Sequence, residues 1–196
     1  FDALYRWFLV SLGLVLVATA FVHLLYGGIQ YSEKGLSVHR AAKVHLSILL
    51  ALLLLVQSGG YLLDAYKLLY SHSGVVFGAG YTDIHARLPA LRILAVLAVL
   101  VAAVCLWQMR RPGFRQLIMG LGALAVVHGI GMFAYPAFLQ QFHVVPNELV
   151  AETPYIQRNI GSTRHAYGLD RVDAQEFPVN EVLTAEDLKK NDATVK

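Results

Sequence analysis

The chain has one cysteine among 196 residues, charged groups make up only 15% of it, and its first 139 positions hold just four carboxylates. A lone Cys105 inside an apolar run forbids an intrachain disulfide, and it cannot build a zinc or iron–sulfur centre from thiolates. About a quarter of an ordinary soluble domain is charged, so water is a poor medium for most of this chain. Walker loop, HExxH, GxSxG and dinucleotide fingerprints are all missing. No nucleophile stands beside a base, so no catalytic residue is expected and the chain does not read as an enzyme. The basic balance gives no reason to expect a nucleic-acid partner either, because the positive charges sit at the ends of apolar runs.

What is present is hydrophobicity: 57% of the residues are apolar and the mean hydropathy is +0.54. Crossing a bilayer takes about 20 apolar residues, and four stretches reach that length: 7–26, 41–63, 89–108 and 114–138. Backbone groups find no partners in lipid, so each span is predicted helical. Continuous rather than alternating apolar residues disfavour a barrel. The expected fold is therefore all-α: an integral membrane protein with four transmembrane helices over 1–139. An irregular, partly helical tail follows over 140–196. That tail holds nine of the 13 acidic residues and six of the 16 basic ones.

Basic residues mark the cytoplasmic loops. Lys34, Arg40 and Lys43 flank the first connection, and Arg110, Arg111 and Arg115 the third. The second connection balances Lys67 and Arg87 with Asp64 and Asp83. This places both termini and the tail outside the cytoplasm, in a multi-pass protein of a cell inner (plasma or intracytoplasmic) membrane. Tyr5, Trp7, Tyr26, Tyr31, Tyr61, Tyr66, Trp107, Phe114, Tyr135 and Phe138 near span ends fit interfacial belts. Lys43 is expected to snorkel to the interface, and Pro136 to end or kink the fourth helix.

Helices in lipid associate through small residues that allow close approach. Gly122, Ala125 and Gly129 form such a face in the fourth span. Ala95, Ala98 and Ala102, continued by Cys105, form one in the third, and Ser47 with Ala51 a shorter pair in the second. Ser58–Gly59–Gly60 could break the second helix, as in transporters, although glycines near a span end need no such role. Spans without a central carboxylate argue against a proton-coupled transporter or pump; a transporter or channel component stays an alternative.

Eight histidines are the feature most open to a cofactor. His23 and His45 fall at similar depth on neighbouring antiparallel helices. They could hold a haem through two axial nitrogens, or a (bacterio)chlorophyll magnesium through one. The plainer reading is a pair of interfacial imidazoles. His128 lies deeper, where a neutral ring hydrogen-bonded across helices is the cheaper reading. Gly78, Gly80, Thr82 and Asp83 read as a turn leading into a helix cap, with Pro89 in the first turns. Asp83, His85 and Arg87 fit capping and anchoring better than a catalytic or metal cluster.

GAGYTDIHARLPA, SVHRAAKVHLSILLALLLLVQSGGYLLDAYKLLY and VVPNELVAETPYIQRNIGSTRHAYGLD together resemble uncharacterised protein family 0182 of bacterial integral membrane proteins. The resemblance covers nearly the whole chain and matches Pro154, Tyr155, Arg158, Asn159, Thr163, Arg164, Tyr167 and Asp170 in the tail. It implies several further helices before this region and a large extracytoplasmic domain after it, of which FPVNEVLTAEDLKK resembles the start. With a first residue Phe1 and no signal-peptide pattern, the chain is then either cut at both ends or a shortened relative. The resemblance implies a fold and a topology, with no catalytic residues.

After Leu169 large apolar residues are few, so the tail is expected to order only against a partner. Arg158 and Arg164 are expected to pair with Asp170 and Glu152, or to dock a partner's acidic surface together with Tyr155, Asn159 and Tyr167. The favoured function is an accessory or structural subunit of a larger membrane complex, photosynthetic or respiratory as one guess at the setting. Other membrane subunits and bound lipids are its expected partners, and a haem- or chlorin-binding subunit is the alternative.

Overall fold

The computed structural model describes residues 2–32, 35–111, 113–172 and 185–190. Two compact units result, Phe1–Asn159 and Ile160–Lys196. The first unit opens with α1 (Asp2–Leu25), a hairpin of β1 (Ile29–Ser32) and β2 (Gly35–Val38), and α2 (Arg40–Lys67). It continues with α3 (Leu88–Gln108), α4 (Arg115–Gly129) and the short α5 (Tyr135–Leu139); α6 (Glu148–Ala166) begins in it. The second unit holds a 3₁₀ turn at Leu169–Arg171 and α7 (Ala185–Lys190). Four helical runs are long and apolar enough to cross a membrane: Asp2–Leu25, Arg40–Tyr70, Asp83–Gln108 and Arg115–Ala166. The expected spans 41–63 and 89–108 lie inside them, and 7–26 and 114–138 do so to within one residue. Lys34 and residues 177–184, which entered the charge count and the family resemblance, lie outside the described residues.

The small antiparallel sheet was not expected in the first connection. It pairs Ile29 with Val38 and Tyr31 with Leu36, which satisfies backbone groups that a short open loop would leave to solvent.

Helix α3 is central, packing on α2 and α4, while α1 packs on α2. One core cluster joins Ala51 and Leu54 of α2 to Val101, Ala102 and Cys105 of α3. A second joins Tyr61 of α2 to Leu91, Leu94, Ala95 and Ala98 of α3. Ala95, Ala98, Ala102 and Cys105 are thus buried inside this chain, from 5% down to 0% exposed. The corresponding α4 stripe is not. A Cβ built on Gly122 or Gly129 meets nothing within 4 Å, and Ala125 is exposed. Helix α3 instead meets Gly120, whose Cβ would lie 3.3 Å from Val101, and Gly131, whose Cβ would lie 2.8 Å from that of Ala90.

Helix α2 runs without a break through Ser58–Gly59–Gly60, so no discontinuous helix forms there. Ser58 Oγ donates to the Ala95 carbonyl at 2.9 Å. Gly60 gives room to the Tyr5 phenol, which would lie 1.9 Å from a Cβ there and donates to Gln57 at 3.0 Å.

Proline shapes the helices without ending them. Each of three π turns, Asp83–Arg87, Ile130–Ala134 and Gln140–Val144, stops two residues before a proline: Pro89, Pro136 and Pro146. Proline removes a backbone donor and crowds the carbonyl four residues back, and a wider turn relieves both effects. Pro136 therefore does not terminate the helical run, and Pro89 sits inside a helix that has already begun.

The first and third connections lie at the same end of the first unit. Lys43, only 9% exposed, reaches the third connection, where its ammonium donates to the carbonyls of Arg111 and Gly113. At the opposite end Lys67 pairs with Asp2 and Asp64, joining the start of α1 to the end of α2.

Candidate functional site

The chemistry-bearing side chains collect at the end where α2 finishes and the helix through Asp83 begins. Residues 71–80 fold back through a Gly78 N–H to Ser71 carbonyl bond of 2.9 Å. Gly78 has φ +119, a conformation that L side chains rarely adopt. The loop lies over Asp83, which is 0% exposed. Asp83 accepts from Arg87 Nη1 at 2.8 Å, Ser73 Oγ at 2.9 Å and the Gly80 N–H at 3.4 Å. The bond from the Gly80 N–H bears out the sequence reading of a turn leading into a helix cap; the ion pair with Arg87 and the bond from Ser73 were not expected. One oxygen holds the Gly80 amide and Ser73 in the loop while the other reaches one helical turn forward to Arg87, and burial makes that charged partner worth most.

Glu152 completes this seat. It is 2% exposed, its Oε1 accepts the Tyr81 N–H at 3.0 Å, and its Oε2 is buried with no hydrogen-bond partner among the described residues. Gly80 is what lets it approach, since a Cβ there would lie 3.1 Å from Oε1. Asn159 Nδ2, one face and two turns on, donates to the Phe77 carbonyl at 2.9 Å. Thr82 Oγ1 donates to Gln140 nearby. The start of α6 is thus bonded to the 71–81 segment at two points.

Beside this seat a cleft of about 360 Å³ is lined by Tyr81, His85, His143, Asn147, Pro154 and Tyr155 among others. The Tyr81 ring lies 4.2 Å from that of His85 and 5.2 Å from that of His143, with Tyr155 edge-on at 6.5 Å. Among the described residues no group of three or more His, Cys, Asp or Glu could hold a metal ion.

The residues singled out by sequence reasoning are dispersed. His23 and His45 do meet, Nε2 to Nδ1 at 3.2 Å with ring centroids 5.3 Å apart. That hydrogen bond takes the space an iron would occupy, so a haem held between them would require the rings to part. His128 lies elsewhere, 3.4 Å from the Tyr61 hydroxyl, across from α4 to α2. Of the tail residues, Arg158 stacks 5.5 Å from the centre of the Tyr155 ring. Asp170 meets His165 at 3.2 Å, not an arginine. Arg164 and Tyr167 are exposed.

Sequence reasoning missed Glu152 and Ser73 as anchors. A signal existed for the first: Glu152, Tyr155 and Asn159 recur at i, i+3, i+7, one face of a helix.

Long apolar helices and a buried polar seat at one end define a helical protein of the membrane-spanning class in length and composition. The chain belongs to the uncharacterised protein family UPF0182, whose model matches residues 1–196. A UPF0182 protein of Pelobacter propionicus is 41% identical over 181 residues, covering 92% of this chain and 20% of that protein. One of Geobacter sulfurreducens is 42% identical over 89% of this chain and 20% of its own length. One of Frankia alni is 39% identical over 95% and 18%. The chain thus spans about a fifth of the curated relatives it matches. No solved structure matches it.

Proposed function

We propose that the chain is a membrane-embedded structural module of a larger assembly, acting by holding neighbouring helices and an outer domain in place, without catalysis of its own. Its four long helices cross a bacterial inner membrane. The basic end faces the cytoplasm, and the Asp83–Glu152 seat faces the other side. What carries this reading is the outward face of α4. That helix buries no residue, its Gly122–Ala125–Gly129 stripe is open, and Ile118, Met119 and Val126 beside it are about 60% exposed. Such a face suits close approach of another helix in lipid. Helix α1 likewise buries none of its residues. Two further observations support the topology: Lys43 ties the two basic connections together, and basic loops face the cytoplasm as a rule. The neighbours are the remaining helices of a longer polypeptide or separate subunits, consistent with the fivefold length of the relatives.

Cross-linking tests this. The thiol introduced by Ala125→Cys is expected to be shielded from maleimide in native membranes and to cross-link to another segment. A chain recovered alone in mild detergent, with that thiol fully reactive in the membrane, would sink the proposal.

A further inference from the structure

At the basic end a groove of about 280 Å³ opens between α1, α2 and α4. Its floor is one stripe of α2: Lys43, Leu46, Ser47 and Leu50, at i, i+3, i+4 and i+7. Leu16 of α1 and Leu117 of α4 form the walls. The paired Ile29 and Val38 of the hairpin, with Phe114, close its rim.

Two features together specify an occupant. The first is depth. Lys43 to Leu50 is seven residues, about 10 Å along a helix, against about 15 Å for half of the hydrocarbon layer. The groove therefore runs from the interface most of the way through one leaflet, the extent of a lipid tail. The second is charge. Lys43 is 9% exposed as a residue, and its ammonium lies 4.9 Å from the centre of the Phe114 ring. Two neutral carbonyls take its protons, and no carboxylate pairs with it among the described residues. Arg110, Arg111 and Arg115 stand on the connection that it touches. A buried cation in apolar surroundings requires a counter-charge, and basic pockets between membrane helices bind anionic headgroups.

We propose that this groove is a binding site for an anionic phospholipid, one acyl chain lying along the α2 stripe and the phosphate at Lys43. The site rests on the membrane reading above. Its role is to fill the space between α1 and α4 and so fix α1, which otherwise touches the body mainly through α2.

The test uses the full chain, purified in nonionic detergent and titrated with phosphatidylglycerol, phosphatidylcholine or inorganic phosphate. Binding is read by native mass spectrometry and by the thermal midpoint. Phosphatidylglycerol is expected to bind at least tenfold tighter than phosphatidylcholine, and phosphate alone not to bind. Lys43→Gln should bring the two lipids within twofold of each other. Leu46→Trp, which fills the floor and leaves the charge, should weaken both at least fivefold. Arg115→Gln gives a second charge variant should Lys43→Gln fail to fold; it should narrow the preference. Equal binding of the two lipids by the unaltered chain would overturn the site, as would equal binding of phosphate, or a Leu46→Trp chain that binds as before. A chain that withstands carbonate washing of membranes but shows no headgroup preference defeats this site alone. One released by that wash defeats the membrane reading.

Discussion

Replacing Asp83 by alanine is expected to destabilise the first unit by about 3 kcal/mol, the lower end of the range for breaking a buried ion pair. The carboxylate is fully buried and answers three donors: Arg87, Ser73 and the Gly80 amide. Removing it leaves a guanidinium still a third exposed, which is why the upper end of the range is not reached. It also frees the loop that covers the seat. Ser73→Ala removes one neutral donor and should cost only about 1 kcal/mol. Asp83→Ala/Arg87→Ala should lose less than the sum of its singles, because the orphaned charge is gone. Denaturant titration of the purified protein, read by tryptophan fluorescence, measures all four. An Asp83→Ala chain as stable as the unaltered one would mean that the seat is not formed.

The second large effect separates two kinds of glycine on one helical run. Gly131→Ala sets a Cβ 2.8 Å from that of Ala90, and neither atom can rotate away. The helices must separate, at about 1–3 kcal/mol. Gly122→Ala and Gly129→Ala meet open space, and in the purified chain they should stabilise by about 0.5–1 kcal/mol through helix propensity. The same denaturant midpoints decide it. If Gly131→Ala is neutral, α3 and the run after α4 do not approach as described. In native membranes the outer pair should behave differently, since a neighbouring helix on that face would turn added methyls into obstructions.

How much of this was legible in the sequence varies with the range of the interaction involved. The four apolar runs depend only on local composition, and the helices fall where they predict. The α3 stripe of Ala95, Ala98 and Ala102 was readable as a packing face because its spacing is local too. Which face of α4 turns inward was not. Gly120 and Gly131 differ from Gly122 and Gly129 only in what stands opposite them. Pro136 does not end its helix because the proline rule presumes an ordinary α turn upstream, and here a π turn comes first. Asp83 was legible as a cap because its bond to the Gly80 amide is local; its ion pair with Arg87 was not, because that pair gains its worth only once residues 71–80 cover it. Glu152 needs Gly80, in a different segment, before its carboxylate has a place to go. His23 and His45 were found by depth alone, but depth did not say that the rings would bond to each other.

The π turns also have a bearing on how chain length is tolerated. Each carries one residue more than the α turn it replaces, and one residue is about 100° of rotation about a helix axis. Between Gly129 and Glu148 the run includes two such turns, so they act as a phase setting for everything beyond. Trimming a single residue from either would swing Glu152 and Asn159 off their seats while leaving the helix unbroken and its composition intact. Along this stretch the spacing between Ala90 and Tyr81 on one side, and Gly131 and Glu152 on the other, has to be kept in register. Insertions and deletions should accordingly be rarer between Gly129 and Glu148 than in the connections between the long helices.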